Sequence, residues 1–186
     1  MSSPISCTLS SIRVYAQPER IYLCGMPGCG KSTAAKWLAG KLGWTYVDTD
    51  TIVQFNTGKS IAEIFEEDGE EAFRVHEKCA LLQTFDMQEL VVATGGGTPC
   101  WFDNMEQMNS AGLTIWLQCN PEELGRRMKQ DTAVRPLFAG LNERELSLKL
   151  YEMQEQRGIF YAQSRLVLAP GWSLVSLYNA VNQSIS

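Results

Sequence analysis

The stretch Gly25-Met26-Pro27-Gly28-Cys29-Gly30-Lys31-Ser32 carries the spacing G-x-x-x-x-G-K-[ST] of a loop that wraps phosphate groups. Its glycines let backbone N–H groups turn inward where a Cβ would collide with a phosphate. Gly28, Cys29, Gly30, Lys31, Ser32 and Thr33 are therefore the candidate nucleotide contacts. Lys31 would reach the terminal phosphates as a catalytic cation, and Ser32 would offer its hydroxyl to Mg²⁺. A glycine-rich turn that binds nothing can carry the same letters, so the flanks matter. Residues 21–24 form a short apolar run that reads as a buried strand, and residues 32–42 read as a helix. That order sets the phosphates on a helix N-terminus, where free N–H groups and the helix dipole favour an anion.

Other residues suit the same chemistry. Asp48 and Asp50 stand one residue apart at the end of a second strand-like run, 44–47. One can hold a water of a Mg²⁺ shell while the other accepts a hydrogen bond from a substrate hydroxyl; equally, one can cap the next helix. A third run, 90–93, passes through Thr94 into Gly95-Gly96-Gly97. Many P-loop proteins place a metal-serving acid at this strand end. Here there is none, which leaves Asp48 as the nearest metal candidate beside Ser32. The glycines would let a small substrate approach backbone N–H groups, or simply form a tight turn. Arg74 and Arg157 lie in helical stretches. Taken alone, each reads as a solvated helix charge, and Arg74 can pair with Glu77 at i+3. Arg135, before Pro136, can fold over a transferring phosphoryl group or be an ordinary surface loop residue. His76, the one histidine, is assigned no chemistry.

Strand-like and helix-like segments alternate along the chain, which points to an α/β fold with a parallel sheet. Ser60 followed by Glu63 spells a capping box for a helix over 61–65. Helices follow over about 70–86, from Pro121, over 143–163 with an interruption at Gly158, and after Pro170-Gly171. Strands are expected at 113–117 and 166–168, and 129–140 reads as a loop or mobile lid broken by Pro136. In open parallel sheets ligands bind beyond the carboxyl ends of the strands. Three such ends carry the phosphate loop, the aspartate pair and the triple glycine.

With 186 residues the chain is long enough for one domain with a sizeable core. A net charge of −5 argues against nucleic acid as the main partner. No apolar run approaches the ~20 residues needed to cross a bilayer. Six cysteines without C-x-x-C pairs, and one histidine, argue against structural zinc and read as reduced thiols of a cytoplasmic protein. Residues 1–18 read as a poorly ordered leader or β-extension, with a faint likeness to a transit peptide.

From about Glu19 onward the chain resembles the shikimate kinases. The resemblance rests on the phosphate loop, Asp48-Thr49-Asp50, and Ser60-Ile61-Ala62-Glu63 running to Arg74. It extends to Gly95-Gly96-Gly97, Arg135-Pro136-Leu137, and Arg157 followed by Tyr161. It implies a three-layer α/β/α P-loop kinase fold with a five-stranded parallel sheet over 19–186, including a lid near 129–140. It also implies an enzyme that moves a phosphoryl group from ATP to the 3-hydroxyl of shikimate with Mg²⁺ as cofactor, on the way to aromatic amino acids. Arg74 and Arg157 would clamp the carboxylate, Asp50 would orient the hydroxyl, and Gly95, Gly96 and Gly97 would line the pocket. Lys31 and Arg135 would stabilise the moving group, Arg127 would contact the nucleotide, and Ser32 and Asp48 would serve the metal. The partners expected are these small molecules alone, with the chain a monomer away from membranes. The rival readings are a gluconate or other small carboxylate-polyol kinase, and a non-catalytic nucleotide-binding module.

Overall fold

The computed structural model describes residues 18–130, 138 and 140–185. The leader expected over 1–18 and the lid over 129–140 lie largely outside them, and Arg135 lies wholly outside.

Five strands of these residues form one parallel sheet in the order β2-β3-β1-β4-β5. They are β1 (Arg20–Cys24), β2 (Thr45–Asp48), β3 (Leu90–Ala93), β4 (Leu113–Leu117) and β5 (Leu166–Leu168). The inner strands are mainly apolar because helices cover both their faces. Ile21 through Cys24 and Leu90 through Ala93 are fully buried. The edge strands β2 and β5 are only partly covered. Arg20 fixes the amino end of β1 by donating to the carbonyls of Ala111, Phe85 and Met87 at 3.0, 2.9 and 2.6 Å.

Eight helices flank the sheet among the described residues: α1 (Lys31–Leu42), α2 (Thr49–Thr57), α3 (Ile61–Glu67), α4 (Gly69–Gln83), α5 (Asn104–Ala111), α6 (Pro121–Gln130), α7 (Glu143–Tyr161) and α8 (Leu174–Ile185). The main core gathers around β1, β3, β4 and α1. A second cluster, Val53, Ile64, Phe73 and Ala80, joins α2, α3 and α4, while Leu81 ties α4 to the main core. Within it Phe65 and Phe73 stack at 4.7 Å between ring centroids.

Several expected bounds shift for identifiable reasons. The helix foreseen over 70–86 is α4 followed by a tighter 3₁₀ turn, Thr84–Asp86. The interruption foreseen at Gly158 does not occur, and α7 runs through it to Tyr161. One glycine costs a helix only about 1 kcal/mol, and the packing of α7 against α6 outweighs that. Helix α2, unforeseen, starts where the aspartate pair sits, with Asp48 as its N-cap. The capping box at Ser60 is present in full. Ser60→Ala should lower stability by about 1 kcal/mol, a fall of roughly 2–4 °C in melting temperature; an unchanged thermal melt would contradict this.

Candidate active site

Gly30 precedes α1 at φ 98°, a left-handed conformation that glycine adopts at little cost. No side chain caps this helix, so its first N–H groups point to where a phosphate would lie. Lys31 is buried, and its Nζ donates to the carbonyls of Gly25 and Met26 at 2.9 and 3.0 Å. Ser32 Oγ donates to Asp48 Oδ2 at 2.7 Å, and the Tyr46 hydroxyl donates to the same oxygen at 3.3 Å. Asp48 Oδ1 accepts from the Asp50 backbone N–H at 3.0 Å. Asp48 therefore fills one of the roles the sequence left open, the cap of α2, and its other oxygen faces Ser32.

Asp50 differs. Its Oδ1 is buried and hydrogen-bonds no protein group. Burial, first of all, and the negative charges of Asp48 and Glu77 push its pKa up to about 6, against the pull of Lys31 and Arg74. Arg74 on α4 is also buried. Its Nη1 donates to Glu77 Oε2 at 2.8 Å and its Nη2 to Glu70 Oε1 at 2.7 Å. Burial disfavours the Arg74 charge, but these two carboxylates outweigh it and keep the guanidinium charged. Rings of Phe73 and Trp101 flank it at 5.1 and 5.2 Å. Thr98 Oγ1 donates to Glu77 Oε1 at 2.7 Å, so both oxygens of this buried acid are engaged.

The triple glycine follows β3 and turns across this group. A Cβ on Gly95 would lie 2.2 Å from Glu77 Oε1, one on Gly96 2.8 Å from the Pro27 ring, and one on Gly97 2.4 Å from Arg74 Nη1. On the Cβ side the space these glycines leave is taken by Glu77, Pro27 and Arg74, while all three still line the cavity.

A cavity of about 490 Å³ joins the two halves. Gly28, Gly30, Lys31, Ser32, Thr33, Asp48, Asp50, Arg74, Gly95, Gly96, Gly97, Arg127 and Arg157 all line it. Cys29 does not, for the whole residue is buried; its carbonyl accepts from Arg127 Nη1 at 3.4 Å. Arg127 is braced by Glu123 at 2.8 Å, which sets it at the phosphate-loop end of the cavity. Glu77, Thr98 and Tyr161 belong to the site and were not singled out by chemistry. For Glu77 the i+3 spacing from Arg74 was the available signal. Nothing local marks Thr98, which meets Glu77 only through the fold.

A phosphate cradle at the end of a central parallel strand, facing a carboxylate and two guanidiniums across one cavity, defines a P-loop kinase. A family model described as shikimate kinase matches residues 27–171. The chain belongs to the shikimate kinase family. The shikimate kinase of Parabacteroides distasonis is 37% identical over 148 residues, spanning 80% of this chain and 86% of that protein. The crystal structure of the shikimate kinase of Bacteroides thetaiotaomicron superposes with a TM-score of 0.81 at 34% identity, covering 88% of this chain and 96% of that one. The Acinetobacter baumannii shikimate kinase solved in complex with shikimate superposes with a TM-score of 0.79 at 28% identity, covering 91% and 92%.

The raised pKa of Asp50 has a consequence for stability. Because the folded state holds this proton more tightly than the unfolded chain does, the stability it contributes is full below about pH 4 and lost as pH rises through about 6. At neutral pH the ionised carboxylate is a net cost to the ligand-free protein, on the order of 1–3 kcal/mol. Asp50→Asn should therefore raise the melting temperature at pH 7.5, with the gain shrinking toward pH 4. Thermal unfolding at both pH values checks this, and a variant less stable than wild type at pH 7.5 would contradict it.

Proposed function

We propose that this chain transfers the γ-phosphoryl group of ATP to the 3-hydroxyl of shikimate, releasing ADP and shikimate 3-phosphate, a step toward chorismate and the aromatic amino acids. The observation that carries the reading is Asp50: a buried carboxylate oxygen without a protein partner, in the cavity that also holds Lys31, Arg74 and Arg157. A pure nucleotide binder has no use for an acid set opposite its phosphate loop.

The division of labour follows from side-chain chemistry. Arg74 and Arg157 hold the substrate carboxylate, a task suited to planar, permanently charged forks. Gly95, Gly96 and Gly97 supply the backbone wall of this half. Asp50 accepts the hydrogen bond of the reacting hydroxyl and orients it in line with the terminal phosphate. With a pKa near 6 it is ionised at neutral pH, yet basic enough to receive the proton as the new P–O bond forms. A loose phosphoryl transition state needs little base catalysis and takes most of its stabilisation from positioning and cations. Lys31, and Arg135 from the 129–140 segment, meet the charge on the moving group. Gly28 through Thr33 cradle the phosphates, and Arg127 serves the nucleotide side.

Ser32 and Asp48 are the residues that would hold Mg²⁺. A hydroxyl and a carboxylate already 2.7 Å apart on the cavity wall are hard oxygen donors of the right kind. Among the described residues no three acidic, histidine or cysteine side chains cluster as a metal cage. That suits an ion that keeps waters and takes phosphate oxygens. Bound there, the ion would neutralise charge on the β- and γ-phosphates. Among the described residues no helix is long and apolar enough to cross a membrane. We read the enzyme as monomeric and cytoplasmic, with these small molecules as its partners.

A coupled ADP-release assay with shikimate, gluconate and no acceptor tests the reading. Turnover should require shikimate; turnover with gluconate alone, or equal rates without acceptor, would overturn it. Asp50→Asn should cut kcat by at least ~10²-fold while ATP affinity stays within about two-fold. For wild type, kcat/KM for shikimate should fall as pH drops below about 6, as Asp50 takes up its proton. Arg157→Ala should weaken shikimate binding by about 10- to 100-fold in calorimetry and spare ATP. Arg157 is the cleaner target, since removing Arg74 would also leave Glu77 buried and unpaired.

A further inference from the structure

Tyr161, the last residue of α7, is fully buried. Its hydroxyl donates to the Gly96 carbonyl at 2.5 Å. Its ring lies on Trp116 of β4, the centroids 5.7 Å apart and the planes at 43°. Burial above all drives the phenol far above its ordinary pKa, and the nearby charge of Arg157 only partly offsets this. The phenol therefore keeps its proton and remains a donor. Arg157 sits about one helical turn earlier on the same face. A guanidinium has donors only, so once the phenolic proton is committed to Gly96, the oxygen's lone pairs are what Arg157 meets. Gly96, for its part, packs so tightly on the Pro27 ring that a Cβ would lie 2.8 Å from it. A continuous line of contacts thus runs from Arg157 through Tyr161 and Gly96 to the phosphate loop.

We propose that the Tyr161 hydroxyl is a positioning group for the acceptor: by pinning the end of α7 to the Gly96 carbonyl, it sets where Arg157 holds the substrate carboxylate relative to the phosphate loop. The proposal rests on the shikimate kinase reading of the site. Ring volume and the contact with Trp116 would survive in phenylalanine; the hydroxyl's bond goes to active-site backbone and adds nothing to that packing.

The test combines Tyr161→Phe, Arg157→Ala and the double variant in steady-state kinetics, with thermal unfolding alongside. Tyr161→Phe should raise the shikimate KM about 5- to 20-fold, the effect of losing one aligned polar contact. The ATP KM should stay within about two-fold and kcat within about three-fold. In the Arg157→Ala background the same change should shift the shikimate KM by less than about two-fold, because the residue it acts through is gone. 4-Aminophenylalanine at position 161, which restores a donor, should recover the wild-type KM. An unchanged shikimate KM overturns the proposal, as does an equal rise without Arg157, an equal rise in the ATP KM, or a Phe variant unfolded at the assay temperature. A wild type without shikimate-dependent ADP release would overturn the functional reading and this one with it; an active wild type with a normal Phe variant overturns this one alone.

Discussion

The Arg74 side of the site depends on three consecutive residues having no side chain. At Gly95 and Gly97 a methyl group would overlap Glu77 and Arg74, and at Gly96 it would press on Pro27. None of the three has positive φ, so backbone freedom does not explain them; close approach does. The room they leave lets a buried arginine and a buried glutamate meet directly beneath a strand end. Burying two charges is expensive, and such a pair is poor evidence of stability in itself. This one is tolerable because its partners are saturated: Glu77 accepts from Arg74 and from Thr98, and aromatic rings flank the guanidinium. What the arrangement gains is orientation. An arginine held on both sides by carboxylates keeps its remaining edge toward the cavity without paying rotamer entropy when an anion arrives.

Two aspartates one residue apart end in opposite conditions, and that asymmetry separates their roles. Asp48 is satisfied on both oxygens, by Ser32 and Tyr46 on one and by a backbone N–H on the other. Asp50 keeps a bare buried oxygen and a raised pKa. Two neighbouring carboxylates whose environments diverge in this way point to different chemical tasks. In the proposed reaction the satisfied one belongs to a fixed scaffold around the phosphate and its ion. The unsatisfied one waits for a hydrogen-bond donor, and in the proposed reaction that donor is the hydroxyl to be phosphorylated.

How legible the site was in the sequence depends on how local each signal is. The phosphate loop is eight contiguous residues whose spacing carries its own mechanism, and the capping box at Ser60 and Glu63 spans four; the strand and helix expected around the first, and the full capping box, are both present. The inner strands announced themselves as apolar runs because a parallel sheet buries both faces. Helix α2 is hard to read from sequence because Thr49 to Thr57 is short and mixes β-branched and polar residues, so that only its start is legible, as a possible cap. Gly158 was read as a break because glycine is a poor helix former, whereas tertiary packing decides. Thr98 has no local signature, and Tyr161 is marked only by its place four residues after Arg157 in the family resemblance, with no role attached. Their roles arise from contacts 21 and 65 residues apart along the chain, which only the fold creates.

The two guanidiniums assigned to the acceptor stand on different foundations. Arg74 rises from α4, whose side chains Phe73 and Ala80 belong to the small cluster shared with α2 and α3. Arg157 belongs to α7, which packs into the main core through Leu150, Met153 and Tyr161. Helix α4 reaches both clusters, since its Leu81 lies in the main core, so the two arginines stand on different parts of one continuous frame. A rigid ring whose carboxylate meets both arginines would bridge the two clusters. Substrate binding energy would then go into aligning Asp50, which sits on α2 within the satellite unit, with Lys31, which sits on the main core. In such a design the acceptor's carboxylate matters to the rate as well as to affinity, because the group remote from the reacting hydroxyl sets the geometry of transfer.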